Sequence, residues 1–154
     1  MIVLGIDPGT EMSAVVMWDG AKVLHKKISG NNSILCDLYL FDDSHDVVIE
    51  MPQCYGMPVG RTVFETCRWV GMFQAYSLGS SHLVYRTDIK MHFCNSTRAK
   101  DSNIRQALID RFGAPGTKKE PGVTHGVVKD IWAALAVAVY WYDTHNQETE
   151  RKER

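Results

Sequence analysis

Residues 3 to 10 read VLGIDPGT, and this stretch decides how the chain begins to fold. Val3 to Ile6 form a short apolar run that is typical of a strand, but the run ends in Asp7, a residue type that strands disfavour. The Pro-Gly pair that follows predicts a turn immediately after the aspartate. Either Asp7 is only the first residue of that turn, or the strand holds it at the edge of a sheet.

Strand and helix patterns alternate along the rest of the chain. β-Branched and apolar runs separated by tight turns predict an antiparallel meander over residues 3–6, 13–18 and 22–28, with two later strands over 46–50 and 82–85. Apolar residues at helical spacing predict helices over residues 31–41, 62–76, 103–112 and 127–142. A meander followed by strands that alternate with helices predicts an α/β fold, with one mixed five-stranded sheet and helices on both faces.

The size and composition of the chain suit a single domain. Its 154 residues are 45% hydrophobic, which is enough for one core, and we expect that domain over residues 1–143, followed by a polar tail over 144–154. No apolar run approaches the roughly 20 residues that span a bilayer, and no leader peptide is visible, so we expect a soluble, intracellular protein that does not act at a membrane. The four cysteines lack a paired spacing and are expected to be reduced thiols in or near the core.

The charge is unevenly distributed along the chain. Although the net charge is −1, residues 1–59 hold three lysines against eight carboxylates, a balance of −5, whereas residues 84–120 have a balance of +4. An acidic half beside a basic half suits a metal-using enzyme that acts on a polyanion. An ordinary solvated surface accounts for the same charge pattern equally well.

Three carboxylates stand at positions where a strand ends or a helix begins. Asp7 and Glu50 each end a short apolar strand, and if the two strands are neighbours their side chains meet at one edge of the sheet. Buried carboxylates this close repel each other unless a cation lies between them, and their oxygens suit Mg²⁺ or Mn²⁺. Asp130, near the start of the last helix, is the third candidate ligand. The helix dipole also favours an acidic residue there without any metal.

These motifs, in this order, resemble a known family. GIDPGT (5–10), VVIE (47–50) and DIWAALAVA (130–138) are similar to motifs of Holliday-junction resolvases of the RuvC type, which belong to the ribonuclease H-like superfamily. KMHFCNSTRAKDSNIRQAL (90–108) resembles the family's segment in which two lysines precede a helix. YGMPVGRTVFETC (55–67) and STRAKDSNIRQALIDRFG (96–113) look most like resolvases encoded by phages and prophages.

The resemblance implies a fold, a reaction and a set of partners. It implies a ribonuclease H-like nuclease domain that uses Mg²⁺, with Mn²⁺ as a substitute, and that cleaves four-way junctions and other branched DNA. The cleavage would occur by paired nicks that leave 5′-phosphate and 3′-hydroxyl ends. Two symmetric nicks require two related sites, so the resemblance also implies a homodimer. The setting would be the cytoplasm of a bacterial host cell.

The resemblance also assigns roles to individual residues. Asp7, Glu50 and Asp130 would be metal ligands and catalytic residues, and Lys100 would join them as a catalytic residue. The side chains expected to contact DNA are those of Lys90, Lys100, Arg98, Arg105 and Tyr55. The four basic residues would bind phosphates, and Tyr55 would stack on a base at the junction centre. Without the resemblance, the four basic residues are equally well explained as solvated surface charges, and Tyr55 as a core residue.

One position departs from the family pattern. The family has a further carboxylate three residues after the position matched by Asp130, one helical turn along the same face. This chain has Ala133 there. We therefore expect a second cation to be held weakly, by Asp7, waters and the substrate phosphate. Asp101 is the alternative source of the missing oxygen.

Several other functions are compatible with the sequence. The domain is expected to be either an active junction nuclease, a catalytically weak or silent junction-binding module, or a less specific nuclease for branched DNA or RNA–DNA hybrids. A Gly-x-Asp-x-Gly-Thr strand turn also opens actin-like and sugar-kinase ATPases, but those proteins clamp a nucleotide between two such subdomains, and this chain has room for one. His92 and Cys94 are too isolated a pair to predict a soft metal site.

Overall fold

The computed structural model describes residues 1–40 and 44–152, with side chains described up to residue 146. The predicted helix end at Phe41 and the last two residues of the predicted tail lie outside this part of the chain. The elements follow in the order β1 (Val3–Asp7), β2 (Met12–Trp18), β3 (Val23–Gly30), α1 (Asn31–Leu40), β4 (Asp46–Met51), α2 (Arg61–Tyr76), β5 (Ser81–Tyr85), α3 (Arg86–Cys94), α4 (Asp101–Phe112) and α5 (Ile131–Lys152).

The strands form one mixed sheet in the order β3-β2-β1-β4-β5. β1, β2 and β3 are the antiparallel meander that the turn residues predict, and β4 and β5 are added parallel to β1. A parallel addition requires a crossover connection, which α1 supplies before β4 and α2 supplies before β5. The predicted fold class, a mixed five-stranded α/β sheet, is confirmed.

Successive residues of each strand point to opposite faces of the sheet, and each face carries its own core. Leu4 and Ile6 of β1 pack with buried residues of α1 and α2. Val3 of β1 packs on the other face, in a core built with α3, α4 and α5. The helices therefore cover both faces, as the sequence predicts. Asp7 lies four residues after Val3 in the same strand, so its side chain points to the same face of the sheet, the one that α5 covers.

A close contact between β1 and α5 sets the position of the last helix. A Cβ atom placed on Gly5 would lie 2.4 Å from the carbonyl oxygen of Ala134 and 2.8 Å from the amide nitrogen of Ala138. Only glycine allows the helix backbone to come this near the strand. Ala134, Ala136 and Ala138 of α5, which are fully buried, complete this small-residue contact.

A cluster of charged side chains ties three helices together away from the sheet. Asp143 of α5 accepts hydrogen bonds from His92 of α3 at 2.8 Å and from both terminal nitrogens of Arg111 of α4, at 2.5 and 2.8 Å. These donors lower the pKa of Asp143 against the opposing effect of burial. The cluster fixes the packing of α3 and α4 against α5.

The structure corrects two of the predictions, the connection after β5 and the limits of the last helix. Residues 86–94, predicted as a basic connection, form the helix α3, whose Ile89 is fully buried. The last helix begins at Ile131 rather than at residue 127, because Gly126 and Lys129 adopt left-handed backbone conformations that a right-handed helix does not contain. The helix then continues to Lys152, so most of the predicted polar tail is helical.

The cysteines carry no disulfide, as expected, but their burial differs from the prediction. Cys36 and Cys54 are exposed, whereas Cys67 and Cys94 are half-buried. Within the described ranges, no helix is both long enough and apolar enough to cross a membrane.

Candidate active site

Asp7 and Glu50 lie at the carboxyl ends of neighbouring parallel strands. β1 and β4 are paired with Ile6 opposite Ile49, and the same register places Asp7 opposite Glu50. Paired strands are about 4.8 Å apart, and residues opposite each other point to the same face of the sheet. The predicted meeting of the two carboxylates at one edge is therefore present, on the face that α5 covers.

A buried polar network holds the turn that follows Asp7. The backbone amide of Gly9 donates to Ser13 Oγ at 3.1 Å, the Ser13 hydroxyl donates to Asn31 Oδ1 at 2.6 Å, and Asn31 Nδ2 donates back to the carbonyl of Gly9 at 3.0 Å. Ser13 and Asn31 are both buried. A Cβ on Gly9 would lie 2.2 Å from the carbonyl oxygen of Met12, so the turn also requires glycine. These hydrogen bonds fix the path of the turn by which the chain leaves Asp7.

The two carboxylates are held in surroundings that disfavour their charged forms. Burial, followed by repulsion from Glu50, raises the pKa of Asp7 to about 7. Burial also raises the pKa of Glu50, although the nearby Arg86 guanidinium opposes that rise. Asp130 and Asp101 add further repulsion at Asp7. A positive charge at this edge would therefore be strongly favourable.

Arg86 supplies one such charge, and sequence reasoning missed it. Its Nη1 donates to Glu50 Oε2 at 3.1 Å, and its Nη2 donates to Asp101 Oδ1 at 2.5 Å. Arg86 directly follows β5, which is parallel to β4, so it leaves the sheet at the same edge as Asp7 and Glu50. That position at the end of a third parallel strand was the available signal in the sequence. Asp101 is engaged by Arg86 in this arrangement.

Asp130 stands apart from the strand carboxylates. It is exposed, and its carbonyl accepts hydrogen bonds from the amides of Ala133 and Ala134 at the start of α5. Its charge still raises the pKa of Asp7, so it lies within electrostatic reach of the site. Asp130 and Ala133 both line a cleft of about 80 Å³ that is also bounded by Arg86 and Asp101. Ala133 thus borders the site, as the helical spacing predicts.

The residues present fit a divalent cation held mainly by two carboxylates. Among the residues that the structure describes, no three His, Cys, Asp or Glu side chains are grouped so as to hold a metal ion. Mg²⁺ usually binds proteins through only one or two carboxylates and takes its other oxygens from water and substrate phosphate. The paired Asp7 and Glu50, both with raised pKa values, match that requirement.

Two of the predicted basic residues, Lys90 and Arg105, lie close to the carboxylates or their cleft, and the other two lie in or next to the loop before α4. Lys90 of α3 is half-buried, and its charge lowers the pKa of Glu50, which places it near that carboxylate. Lys100 precedes the first residue of α4 and is exposed, as is Arg98 in the loop before it. Arg105 of α4 is exposed, lines the same cleft as Asp130, and lies with its guanidinium carbon 5.0 Å from the centre of the Trp132 ring.

Tyr55 lies on the surface, not in the core. Its side chain is 63% exposed, in the loop between β4 and α2. The Tyr55 hydroxyl donates to Gln53 Oε1 at 2.9 Å. The same oxygen accepts hydrogen bonds from the backbone amide and the hydroxyl of Thr87, at 3.3 and 3.2 Å. Gln53 therefore links the loop that carries Tyr55 to the residue after Arg86.

Two solved structures share this arrangement of elements over nearly the whole chain. RuvC from Thermus thermophilus superimposes with a TM-score of 0.65 at 16% identity, covering 95% of this chain and 97% of the other. The structure of T. thermophilus RuvC in complex with a Holliday junction substrate gives a TM-score of 0.64 at 16% identity, with 97% of each chain covered. No protein-family model and no curated protein matches the sequence. Likeness at this level of identity establishes the architecture, and the chain has the RuvC-like form of the ribonuclease H-like α/β fold.

Proposed function

We propose that the protein is a metal-dependent endonuclease that cleaves branched DNA, with four-way junctions as its substrate. The observation that carries the proposal is the pair of buried carboxylates, Asp7 and Glu50, at the ends of adjacent parallel strands, with cationic side chains around them. The fold shared with a RuvC structure that contains a Holliday junction substrate supports the same conclusion.

In this proposal the carboxylates bind the metal ion, and the neighbouring Arg86 holds one of them in position. A bound Mg²⁺ or Mn²⁺ would lower the pKa of the attacking water and offset negative charge on the phosphate. Asp7 and Glu50 would hold that ion, with Asp130 as a further ligand from the start of α5. Arg86 keeps Glu50 in place through its hydrogen bond of 3.1 Å. The water forms the new bond to phosphorus and the bond to the 3′ oxygen breaks, which leaves 5′-phosphate and 3′-hydroxyl ends.

The basic residues beside the site would hold the DNA backbone. Lys90 acts electrostatically on Glu50, and we propose that it meets the phosphate that is cleaved. Lys100, Arg98 and Arg105 are exposed along the start of α4 and the preceding loop, where they would bind flanking phosphates. Tyr55 is exposed beside the same edge and would stack on an unpaired base at the centre of the junction.

Paired nicking requires a second active site. Two strands related by the symmetry of a junction are cut by two protomers related by a twofold axis. We therefore propose a homodimer, and size-exclusion chromatography with light scattering at micromolar concentration tests it. A monomer that nicks one strand of each junction would contradict the paired mechanism.

Substitution of the two carboxylates separates cleavage from binding. Asp7→Asn and Glu50→Gln should abolish cleavage of a four-way junction in Mg²⁺, because they remove the proposed ligands, while binding persists through phosphate contacts. Asp110→Asn, an exposed carboxylate on α4, is the matched control and should cleave normally. Binding by the wild type without cleavage in any divalent metal would instead identify a silent junction-binding module.

A further inference from the structure

The cleft beside the paired carboxylates carries more positive than negative charge. Its lining includes three cationic side chains, Arg86, Arg105 and Lys129, and two carboxylates, Asp101 and Asp130. Ala133 forms part of the same wall and offers no oxygen ligand. These three cationic side chains can hold a phosphate in the cleft, next to the cation proposed between Asp7 and Glu50.

We propose that Arg86 is a catalytic residue that contacts the cleaved phosphate directly and supplies the positive charge that a second metal ion would otherwise provide. The proposal rests on the nuclease function proposed above and adds a residue for which the sequence predicted no role. It also replaces the expectation of a weakly held second cation near Ala133.

The two hydrogen bonds of Arg86 differ in how easily they can be exchanged. The carboxylate of Glu50 is only 15% exposed, so its bond to Arg86 anchors the guanidinium inside the site. The Asp101 side chain is 79% exposed whereas that of Arg86 is 17% exposed, so the pair is open to water on the Asp101 side and a released Asp101 carboxylate is readily solvated. A phosphate oxygen can therefore take the place of Asp101 on Nη2 at small cost, while Nη1 remains on Glu50.

The guanidinium also has donors to spare. A guanidinium carries five N–H groups in a planar fork, and among the described residues it bonds to Glu50 through Nη1 and to Asp101 through Nη2. The cleft has a volume of about 80 Å³, room for roughly three water molecules, so an entering phosphate oxygen meets little trapped solvent.

The role of Arg86 in hydrolysis is electrostatic. The oxygen of the attacking water bonds to phosphorus, the bond to the 3′ oxygen breaks, the 3′ oxygen takes up a proton, and the water releases one to solvent. Arg86 stays protonated throughout, since a guanidinium does not lose its proton in proteins. It stabilises the charge that builds on the phosphate oxygens, an effect worth about 10²- to 10³-fold in rate for one well-placed donor.

Three variants test the proposal, with salt dependence of junction binding in EDTA and cleavage in Mg²⁺ as the measurements. Arg86→Met should reduce the slope of log affinity against log salt by about one phosphate contact and slow cleavage by about 10²- to 10³-fold. Arg86→Lys should keep the slope and recover part of the rate. Arg68→Met on α2, which pairs with Glu65 on the surface, is the matched control for loss of an arginine.

Asp101→Asn distinguishes a catalytic arginine from a merely structural one. Asp101 occupies the Nη2 donor that the phosphate would take, so this variant should bind junctions in EDTA at least as tightly as the wild type and should still cleave them in Mg²⁺. An inactive Asp101→Asn protein would overturn the proposal in favour of Asp101 as a metal ligand. An unchanged salt slope in Arg86→Met would also overturn it.

Junction binding in EDTA can be measured whether or not the protein cleaves DNA. A wild type that binds junctions in EDTA but cleaves none refutes the proposed reaction, and the salt slope still decides whether Arg86 contacts phosphate. A count of bound Mn²⁺ by electron paramagnetic resonance adds a third readout. One Mn²⁺ per protomer is expected on the DNA-free wild type, and two tightly bound ions would contradict the proposal.

Discussion

Substitution of Gly5 by alanine tests whether the contact between β1 and α5 positions the active site. The added Cβ would lie 2.4 Å from the carbonyl oxygen of Ala134 and 2.9 Å from the Cβ of Ala138. Ordinary contacts between carbon and oxygen are longer by about an ångström, and the obstacle is helix backbone rather than a flexible side chain. The helix must therefore move away from the strand, together with Asp130 and Ala133 at its start.

The expected cost of this overpacking is roughly 3 kcal/mol, at the upper end of the range for small-to-large core changes. In a protein of this size each kcal/mol lowers the melting temperature by about 2–4 °C, so Gly5→Ala should lower it by about 6–12 °C. Thermal and urea unfolding followed by circular dichroism measure the loss. Junction cleavage, assayed well below the lowered melting temperature, should fall as well because Asp130 is displaced from Asp7.

Gly71→Ala is the matched control. Gly71 lies within α2, and a Cβ placed on it has no atom within 4 Å. Alanine in a helix is favoured over glycine by up to about 1 kcal/mol, so this variant should be slightly more stable than the wild type. A melting temperature for Gly5→Ala within about one degree of the wild type would refute the inference that the contact is tight.

Four further predictions concern charge and buried hydrogen bonds. Because folding raises the pKa of Asp7 to about 7, this residue destabilises the metal-free protein increasingly as the pH rises from about 4 to 7. In urea unfolding at pH 8, the free energy of unfolding of Asp7→Asn should accordingly exceed that of the wild type by roughly 1–4 kcal/mol. An equal difference at pH 4 would show that the raised pKa of Asp7 is not its cause. Asn31→Ala breaks the buried network behind the Asp7 turn and should cost about 1–3 kcal/mol, while its exposed neighbour variant Asn32→Ala should change stability by less than about 0.5 kcal/mol. Asp143→Asn should lower the free energy of unfolding at neutral pH by about 1–3 kcal/mol, a loss that shrinks as acid protonates the wild-type carboxylate through its lowered pKa. Lys100→Ala should flatten the salt dependence of junction binding by about one phosphate contact, and an unchanged slope would make Lys100 an ordinary surface charge.

The positions of Asp7 and Glu50 could be predicted from the sequence because local patterns determine them. Each residue ends a short apolar run, and such runs form central strands of parallel pairs. The pairing of those strands then brings the two carboxylates together, which the structure confirms. Turn residues likewise predicted the meander, since Pro8-Gly9 and Asp19-Gly20 mark its two connections.

The position of Arg86 after β5 was visible in the sequence, but its hydrogen-bond partners could not be predicted in the same way. Its partners are Glu50, 36 residues earlier, and Asp101, 15 residues later, and neither separation follows from a local period. The helix that Arg86 begins is only nine residues long and starts directly after β5, without a loop to mark its start. Its single buried residue, Ile89, gives no helical repeat that a sequence reading could detect.

Asp7 and Glu50 reach one edge because their neighbouring strands present the same parity there, and Arg86 follows β5 directly at that edge. Inserting or deleting a single residue inside one of these strands would turn its terminal side chain to the opposite face, among the helices α1 and α2. Length changes in the loops between the elements leave that parity intact. In homologous chains, insertions and deletions should therefore accumulate in segments such as 52–60 and 113–124 and be excluded from the strand interiors, and the strand lengths become a signature of a working site.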